Sequence, residues 1–595
     1  MDNIKVKKSI CRNEDSLWLA TTPSTDYPSL PQNTRIDIDT AVIGGGIAGI
    51  STALFLKQAG INVALIEADR IAKGVSGYTS GKITSQHILV YRYLIDKFGF
   101  DMAKQYADAN QAAIEKIALI IKTGRISCDF SRKTAYTYAE TDETMEKLID
   151  EGAAARSLGL PAYLNEKVPI PIPTKGAVCF SNQAQFHPRK YLLKLAEMIP
   201  GNGSMIFENT RATGIKEYSQ KGFLINTTSG EITAKNVVIA TNFPFYDKPG
   251  QYYARMKAGR IYSFAMKLKT GFPDGIFISA EKDIYSFRSQ PYKEGELIIA
   301  GGQEHTTGKV KDTMERFIKL FKYVSKYFDI DHIEFCWSSQ DNNTFDMVPY
   351  IGRYLPDGKN IFIATGFNGW GMTHGTIAAM IITDMVKGIK NPWSGIYDPA
   401  RFELNADGGV ETSGKMIKKV KLNKTSKVDR PDILKTNGME EIIENTGLGE
   451  ASEKTGIPAR TRQIDIQAIS AETGLPFGSV KHGIQAQTDR TDPYDKIKKI
   501  RDYSEYFRDI PPGTGKIIVI SSIKVAVYKN DEGDGYFLKP LCPHMGCLLR
   551  FNAAEKSWDC PCHGSRFSYD GKVLNSPAFE DLEILSLNMN GKQNV

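Results

Sequence analysis

No stretch of this 595-residue chain reaches the roughly eighteen uninterrupted apolar residues of a membrane span. The most apolar segment, Ala41 to Leu56, is broken by four glycines and a Ser-Thr pair. A signal-peptide core is missing too: MDNIKVKKSICRNEDSLW, at the start, holds neither an apolar run nor a twin arginine. These absences predict no transmembrane segment and a cytoplasmic location. Cysteine is scarce, at eight residues. Cys11, Cys128, Cys179 and Cys336 stand singly, as reduced thiols do, while the other four crowd into the last tenth of the chain. A net charge of +7 is small for this length and carries no nucleic-acid signal by itself. Nucleophile-elbow, Gly-Lys-Ser phosphate-loop and His-Glu-x-x-His patterns are also absent, which leaves hydrolase and kinase chemistry without support.

What is present begins at residues 36–67, IDIDTAVIGGGIAGISTALFLKQAGINVALIE. An apolar run to Ile43 suits a buried parallel strand, and Gly44, Gly45, Gly46, Ile47, Ala48 and Gly49 then fit G-x-G-x-x-G. A helical pattern follows, then a second strand closed by Glu67. The spacing has a physical basis. Gly44 permits the tight turn, Gly46 lets backbone approach a pyrophosphate, and Gly49 lets helix and strand pack closely. The helix N-terminus offers N–H groups to phosphate, and Glu67 can accept hydrogen bonds from a ribose. Strand, glycines, helix, strand and acid together define a dinucleotide site, for NAD or FAD.

The segment resembles the D-amino-acid-oxidase-like flavoproteins, which include glycine and sarcosine oxidases, and later stretches fit in the same order. ENTRATGI (208–215) resembles the strand whose backbone, near Ala212, meets the adenine. NVVIATN (236–242) resembles the strand that returns to the nucleotide. VPYIGR (348–353) and NIFIATGFNGWGMTHGTIAA (360–379) resemble the family's last strand, flavin loop and helix, which places Gly371, Met372 and Thr373 beside the flavin. The resemblance spans about residues 37–398 and implies FAD. In SGYTSGKITSQH (76–87), Thr79, Ser80 and Lys82 are the expected phosphate and flavin contacts.

Family members that oxidise amino acids hold the carboxylate with an arginine shortly before a DGxPxIG element. In WSSQDNNTFDMVPYIGR (337–353), Asp341, or Gln340, stands at that place. An acid there repels a carboxylate and attracts a cation. The substrate is then an amine, or another arginine anchors it, with Arg260 and Arg288 the candidates. His374 is a candidate for proton handling and His87 for catalysis or flavin attachment, whereas His187, before Pro188, reads as a helix-start residue.

The crowded cysteines lie in CPHMGCLLRFNAAEKSWDCPCHGSRF (542–567). Short alternating strands and a DEGDG hairpin signal surround it, so the region is a small all-β unit with two ligand-bearing loops. Zinc, two disulfides and an iron–sulfur cluster are all conceivable. Zinc sites favour C-x2-C pairs, whereas here each loop offers one thiolate and one imidazole: Cys542 and His544, then Cys560 and His563. A Rieske [2Fe–2S] centre requires that set. The stretch resembles the Rieske proteins of respiratory cytochrome bc complexes, and the resemblance implies a bridge between Cys547 and Cys562. A Rieske oxygenase needs a further two-histidine site, and none of the six other histidines pairs at helical spacing.

The expected fold class is therefore multidomain α/β + β. A Rossmann-like FAD-binding domain interleaves with an antiparallel-sheet substrate domain, and a small all-β Rieske domain follows. The boundaries read as a lead-in over 1–36, the flavoprotein over 37–398, a basic linker and helical insert over 399–505, and the Rieske domain over 506–595. The expected activity is FAD-dependent oxidation of an amine- or amino-acid-like small molecule, with electrons passing through the cluster on a mobile domain to an external carrier. Nucleic acid is not an expected partner. The alternatives are a redox-responsive regulator using a helix-turn-helix-like stretch at 442–487, and a flavoprotein whose Rieske domain is only structural. Ser565 matches the serine that donates a hydrogen bond to the respiratory clusters, but Phe567 stands where a tyrosine donates a second. Fewer hydrogen bonds to the sulfurs lower the potential, so potentiometry should give a midpoint below those of respiratory Rieske proteins; an equal or higher value contradicts the assignment.

Overall fold

The computed structural model describes residues 11–218, 222–247, 250–310, 312–358, 360–404, 410–412, 492–498, 500, 503–589 and 592–594. Contacts group 1–413 with 493–595 as one unit and 414–492 as another. The helix-turn-helix-like stretch and the basic run at 415–430 lie outside the described residues.

Strand Arg35–Ile43 ends in Ala41, Val42 and Ile43, all buried, and pairs in parallel with Val63–Ile66 on one side and Glu231–Ile239 on the other. The sheet extends in parallel to Met205–Phe207 and Ile361–Thr365, and Tyr350–Arg353 closes one edge antiparallel. Helix Ile47–Gln58 returns across this sheet with ten buried residues, so it is apolar nearly all round, as a helix between two layers must be. Its other neighbour is helix Gly371–Val386. A Cβ at Gly375 would come within 2.9 Å of Ile47, so this glycine lets the two helices touch close to their N-termini.

The second sheet has ten strands, and its central path runs Ile330–Thr344, Met256–Leu268, Gly295–Thr306, Tyr285–Tyr292. These pair antiparallel, while Ile276–Ser279 pairs in parallel with Ser131–Ala139, so the sheet is mixed. Alternation gives it two faces. Tyr262, Phe264, Phe287 and Ile298 pack on the outer face with helix Met314–Tyr327; Ala265, Leu297, Ile299 and Trp337 pack on the inner face with Leu17 and Trp18. The lead-in is thus part of the core, and its strand Cys11–Asn13 pairs in parallel with Ile330–Thr344. That pairing corrects one expectation. Cys11 and Cys336 are not solitary thiols but a disulfide pair across the two strands, whereas Cys128 and Cys179 are free and buried.

The C-terminal region forms a five-stranded antiparallel sheet that includes Thr514–Ile520, Ile523–Lys529, Gly535–Leu538 and Ile584–Met589. A four-stranded sheet of short strands, from Arg550–Asn552 to Val573–Asn575, carries the two cysteine–histidine loops. Tyr494, Ile497, Tyr503 and Phe507, in and beside two short helices, pack on the first sheet, so this packed unit reaches back to Tyr494. Helix His187 also matches expectation in kind: His187 caps Pro188–Glu197, its side chain accepting from the Lys190 N–H.

The small unit is seated on the outer face of the ten-stranded sheet. Arg260 donates from Nε to Glu555 Oε1 at 2.5 Å, and from Nη2 to Glu555 Oε2 and, at 2.6 Å, to Ser338 Oγ. Arg566 donates to the same Glu555 carboxylate at 2.6 Å and to Asp559 at 2.9 Å. Burial pushes the Arg260 guanidinium down to about 9, with Arg566 adding to the push. Asp559 is held below the usual carboxylate range: burial alone pushes it up, and Arg566 and Arg260 outweigh that. Thr313 Oγ1 donates to Asn552 Oδ1 at 2.5 Å, and Ala554 enters the outer-face core. Glu555→Gln leaves two buried guanidiniums without their shared anion, which costs about 3–5 kcal/mol. The expected result is a lower denaturation midpoint and easier proteolytic release of the C-terminal unit; an unchanged midpoint means the pair is solvated in solution.

Candidate functional site

The glycine loop has the geometry a dinucleotide requires. Gly44 has φ +109°, and a Cβ there would lie 2.5 Å from the Ala240 carbonyl oxygen. A Cβ at Gly49 would fall 1.8 Å from the Gly44 oxygen, so only glycine lets the helix sit on the turn. At Gly46 the nearest atom to such a Cβ is Ser76 Oγ, at 3.3 Å, which leaves the backbone open for approach. Ile47 and Ala48 form the first turn of the helix, and the Ile47 N–H donates to Ser76 Oγ at 3.0 Å. Glu67 ends the second strand, where its carboxylate accepts from the Gly45 N–H at 2.7 Å and the Asp69 N–H at 3.0 Å. Burial raises its pKa against those two donors, so a ribose hydroxyl is a fitting further partner. Ala212 opens strand Ala212–Glu217, close behind Thr210, whose N–H donates to the Glu67 carbonyl. The cradle therefore fits the adenosine and pyrophosphate of FAD.

Glu208 was not singled out by sequence. It is fully buried and accepts from Thr25, from the Tyr27 and Ile71 N–H groups and from Arg70, which fixes the chain just after Glu67. The only sequence signal was its place at the head of ENTRATGI.

The loop carrying Thr79 and Ser80 is held by its carbonyls. Gly77 O accepts from Ser16 Oγ at 2.5 Å, Tyr78 O from Trp337 Nε1 at 2.8 Å, Thr79 O from Trp18 Nε1 at 2.6 Å and Ser80 O from Arg288 Nε at 2.6 Å. Four consecutive carbonyls are thus each held by a side-chain donor. Arg288 also donates to the oxygens of Phe186, Ser289 and Gln290 at 3.0 Å each, so its guanidinium is committed to the wall. It is no free anchor, and neither is Arg260, which is held by Glu555. Lys82 differs. Its Nζ donates to Ser286 Oγ at 2.8 Å, and burial, then the nearby Arg288, bring it down to about 7. No acid acts on it.

Asp341 points to the inner face. Its Oδ2 accepts from the Gly369 N–H at 2.7 Å, and Oδ1 from the Asn342 N–H at 2.9 Å and Asn242 Nδ2 at 3.2 Å. Burial raises its pKa despite these donors. It thereby holds the loop that leads into helix Gly371–Val386, whose first turn holds Gly371, Met372 and Thr373. His374, one residue further, is fully buried beside Phe367, Tyr106 and Tyr397, and burial lowers its pKa to about 3. It is therefore neutral, and among the described residues its Nε2 has no hydrogen-bond partner. His87 is neutral for the same reason, bonded to Tyr106 and the Thr84 carbonyl and stacked on Trp370.

In the C-terminal unit, two loops bring the four expected ligands together. Cys542 and Cys560 are buried and free, and the His544 and His563 rings stand 5.0 Å apart at 88°. Hydrogen bonding from the Cys560 thiol lowers the Cys542 pKa, and Ser565 contributes in the same direction; giving that bond pushes Cys560 up. Among the described residues, buried His563 Nδ1 has no hydrogen-bond partner, which suits a metal ligand. Paired thiols and an orphaned imidazole nitrogen fit a [2Fe–2S] centre held as Cys2His2. Cys547 and Cys562 form a disulfide between the loops, with Cys560 Sγ within 4.8 Å of both sulfurs. Ser565 Oγ also accepts from the Ala578 N–H, and the Phe567 ring is buried with no hydroxyl to offer.

Comparison with known proteins agrees with both halves. Residues 39–385 match the FAD dependent oxidoreductase family, and 504–586 match the Rieske [2Fe-2S] domain. YhfW of Bacillus subtilis (strain 168), named for a Rieske 2Fe-2S iron-sulfur protein, is 30% identical over 96% of this chain and 98% of its own. Gamma-glutamylputrescine oxidoreductase of Escherichia coli (strain K12) is 24% identical over 63% of this chain and 89% of its own. The crystal structure of glycine oxidase from Geobacillus kaustophilus superposes with TM-score 0.53 at 16% identity, covering 61% of this chain and 99% of that one, and so shows the fold.

The chain belongs to the FAD-dependent oxidoreductases of the D-amino-acid-oxidase type and carries a C-terminal Rieske domain. It is an oxidoreductase with FAD and a [2Fe–2S] cluster as cofactors, and among the described residues no helix is long and apolar enough to cross a membrane. Gly49→Val should abolish flavin binding, read as loss of the visible flavin band per mole of protein, while the Rieske absorbance persists. Cys542→Ser should do the reverse.

Proposed function

We infer that this protein oxidises a small amine or amino acid at a C–H next to nitrogen and delivers the electrons through its Rieske loops to an external carrier. The observation that supports this most is the seating of the two cysteine–histidine loops on one face of the sheet whose other face carries Lys82 and Asp341. FAD supplies a hydride acceptor and the cluster a one-electron relay. The chain's own residues account for binding and order. Carbonyl clamps on residues 77–80 fix the wall of the cleft. Asp341 holds the Gly369 loop so that the N-terminus of helix Gly371–Val386 is aimed at negative charge.

Lys82 is a buried amine bonded to Ser286 with no carboxylate paired to it among the described residues, and an anionic group on the substrate would complete it. Arg288 and Arg260 are spoken for, so Lys82 replaces them as the anchor for a carboxylate. The relative named for gamma-glutamylputrescine supports an amine as the reacting group. In this reading the Rieske unit works from its seat on the sheet, which the buried Arg260–Glu555 ion pair supports over the mobile carrier expected from sequence.

Anaerobic mixing with a panel of amines and amino acids tests the reading. A substrate bleaches the flavin band first and the cluster band second, and Cys542→Ser keeps the first phase and loses the second. A cluster that stays oxidised while the flavin bleaches rules the reading out. Lys82 adds a pH dependence. Its pKa in the fold is depressed to about 7, so the ammonium is present below that value and lost above it. Binding of a carboxylate probe such as acetate, followed by the flavin spectrum, should therefore weaken as pH rises through 7, by up to about tenfold per unit. Lys82→Met should flatten the profile.

A further inference from the structure

Two adjacent residues of strand Ile330–Thr344 reach the two cofactor loops from opposite sides. Successive side chains on a strand point to opposite faces. Gln340 lies on the outer face and is 6% exposed. Its Nε2 donates to the Gly564 carbonyl at 2.9 Å, and its Oε1 accepts from Thr307 Oγ1 at 3.0 Å. Gly564 directly follows the ligand His563. Asp341 lies on the inner face and accepts from the Gly369 N–H at 2.7 Å, two residues before the helix Gly371–Val386. One dipeptide therefore hydrogen-bonds to the backbone of both the cluster loop and the flavin loop.

The fit around it is close. Gly564 has φ +79°, and a Cβ there would overlap Ala258. Gly308 has φ +74°, and a Cβ there would stand 2.6 Å from the Pro561 nitrogen. Both glycines let backbone approach backbone where the cluster loop meets the sheet. Tyr253 covers the histidines, its ring centre 5.5 Å from that of His544 and 5.3 Å from that of His563. The Arg260–Glu555 clamp holds the domain, but it grips the turn between strands Arg550–Asn552 and Ser557–Asp559, not a ligand loop. Among the described residues, the Gln340–Gly564 bond reaches the stretch between His563 and Ser565 from the sheet.

We propose that Gln340 and Asp341 are positioning residues that form a joint between the two cofactor loops, holding the His563 loop in register with the Gly369 loop and so fixing the separation over which the centres exchange electrons. The proposal rests on the functional reading above, in which the two centres exchange electrons. Neither residue touches a reacting atom; both act through the loop backbones they hold.

The test uses the full holoprotein with Gln340→Leu, which removes both hydrogen bonds at constant bulk, and Gln340→Glu, which keeps the acceptor for Thr307 and sets a carboxylate against the Gly564 carbonyl. Two quantities are read. Amide hydrogen exchange over 560–566 should accelerate by about five- to tenfold in both variants, as loss of one buried hydrogen bond implies. Electron exchange between flavin and cluster, started by a pulse of photogenerated deazaflavin radical and followed at the two visible bands, should slow roughly two- to thirtyfold, the range for a residue that couples two sites. Flavin and iron content should match the parent. If the parent exchanges electrons normally and both variants keep its rate and its amide protection, the joint is overturned. If the parent shows no exchange between the centres at all, it is the functional reading that fails.

Discussion

A pleated strand cannot show two neighbouring side chains to the same side, and the ten-stranded sheet uses this constraint to keep two chemistries apart. Tyr262, Phe264 and Gln340 belong to one face, Ala265, Trp337 and Asp341 to the other. On the first face the sheet receives a folded domain through a desolvated ion pair. On the second it carries Lys82, bonded to Ser286, and Asp341, bonded to the Gly369 N–H. The Gly369 loop and the His563 loop thus meet the same strand from opposite faces of one sheet.

The flavoprotein half uses its polar groups in the same economical way. Ser16, Trp18, Trp337 and Arg288 each satisfy one carbonyl of a four-residue loop. A buried carbonyl left without a donor costs roughly 1–3 kcal/mol, so the four bonds fix the orientation of the loop as well as its place. The same logic governs Asp341 and Glu67, whose carboxylates bind loop N–H groups and hold the turns around the nucleotide.

Much of this was legible in the sequence, for reasons that differ by element. The glycine loop could be read because Gly44 and Gly49 occupy places where any Cβ collides with backbone, so sterics confine the choice of residue. The cluster loops could be read because metal ligation restricts residue type and spacing together. The short strands of the last ninety residues followed from their alternation. What stayed hidden depends on distant partners. Arg288 and Arg260 read as free cations until the carbonyls and the glutamate that occupy them are seen, 208 and 295 residues away. Cys11 and Cys336 look solitary until strand pairing brings them together, and the lead-in gives no hint that Trp18 belongs to the core. Lys82 reads with the flavin contacts, and its burial beside Arg288, with Ser286 as its hydrogen-bond partner, is visible only in the fold.

The carbonyl clamp also orders events during synthesis. Ser16 and Trp18 leave the ribosome before the loop they grip, but Arg288 and Trp337 emerge more than two hundred residues after it. The nascent glycine turn can close on its own strand and helix early, while residues 78–80 stay half-fastened until the far strands of the second sheet arrive. The clamp on this loop is consequently complete only after strand Ile330–Thr344 has been translated.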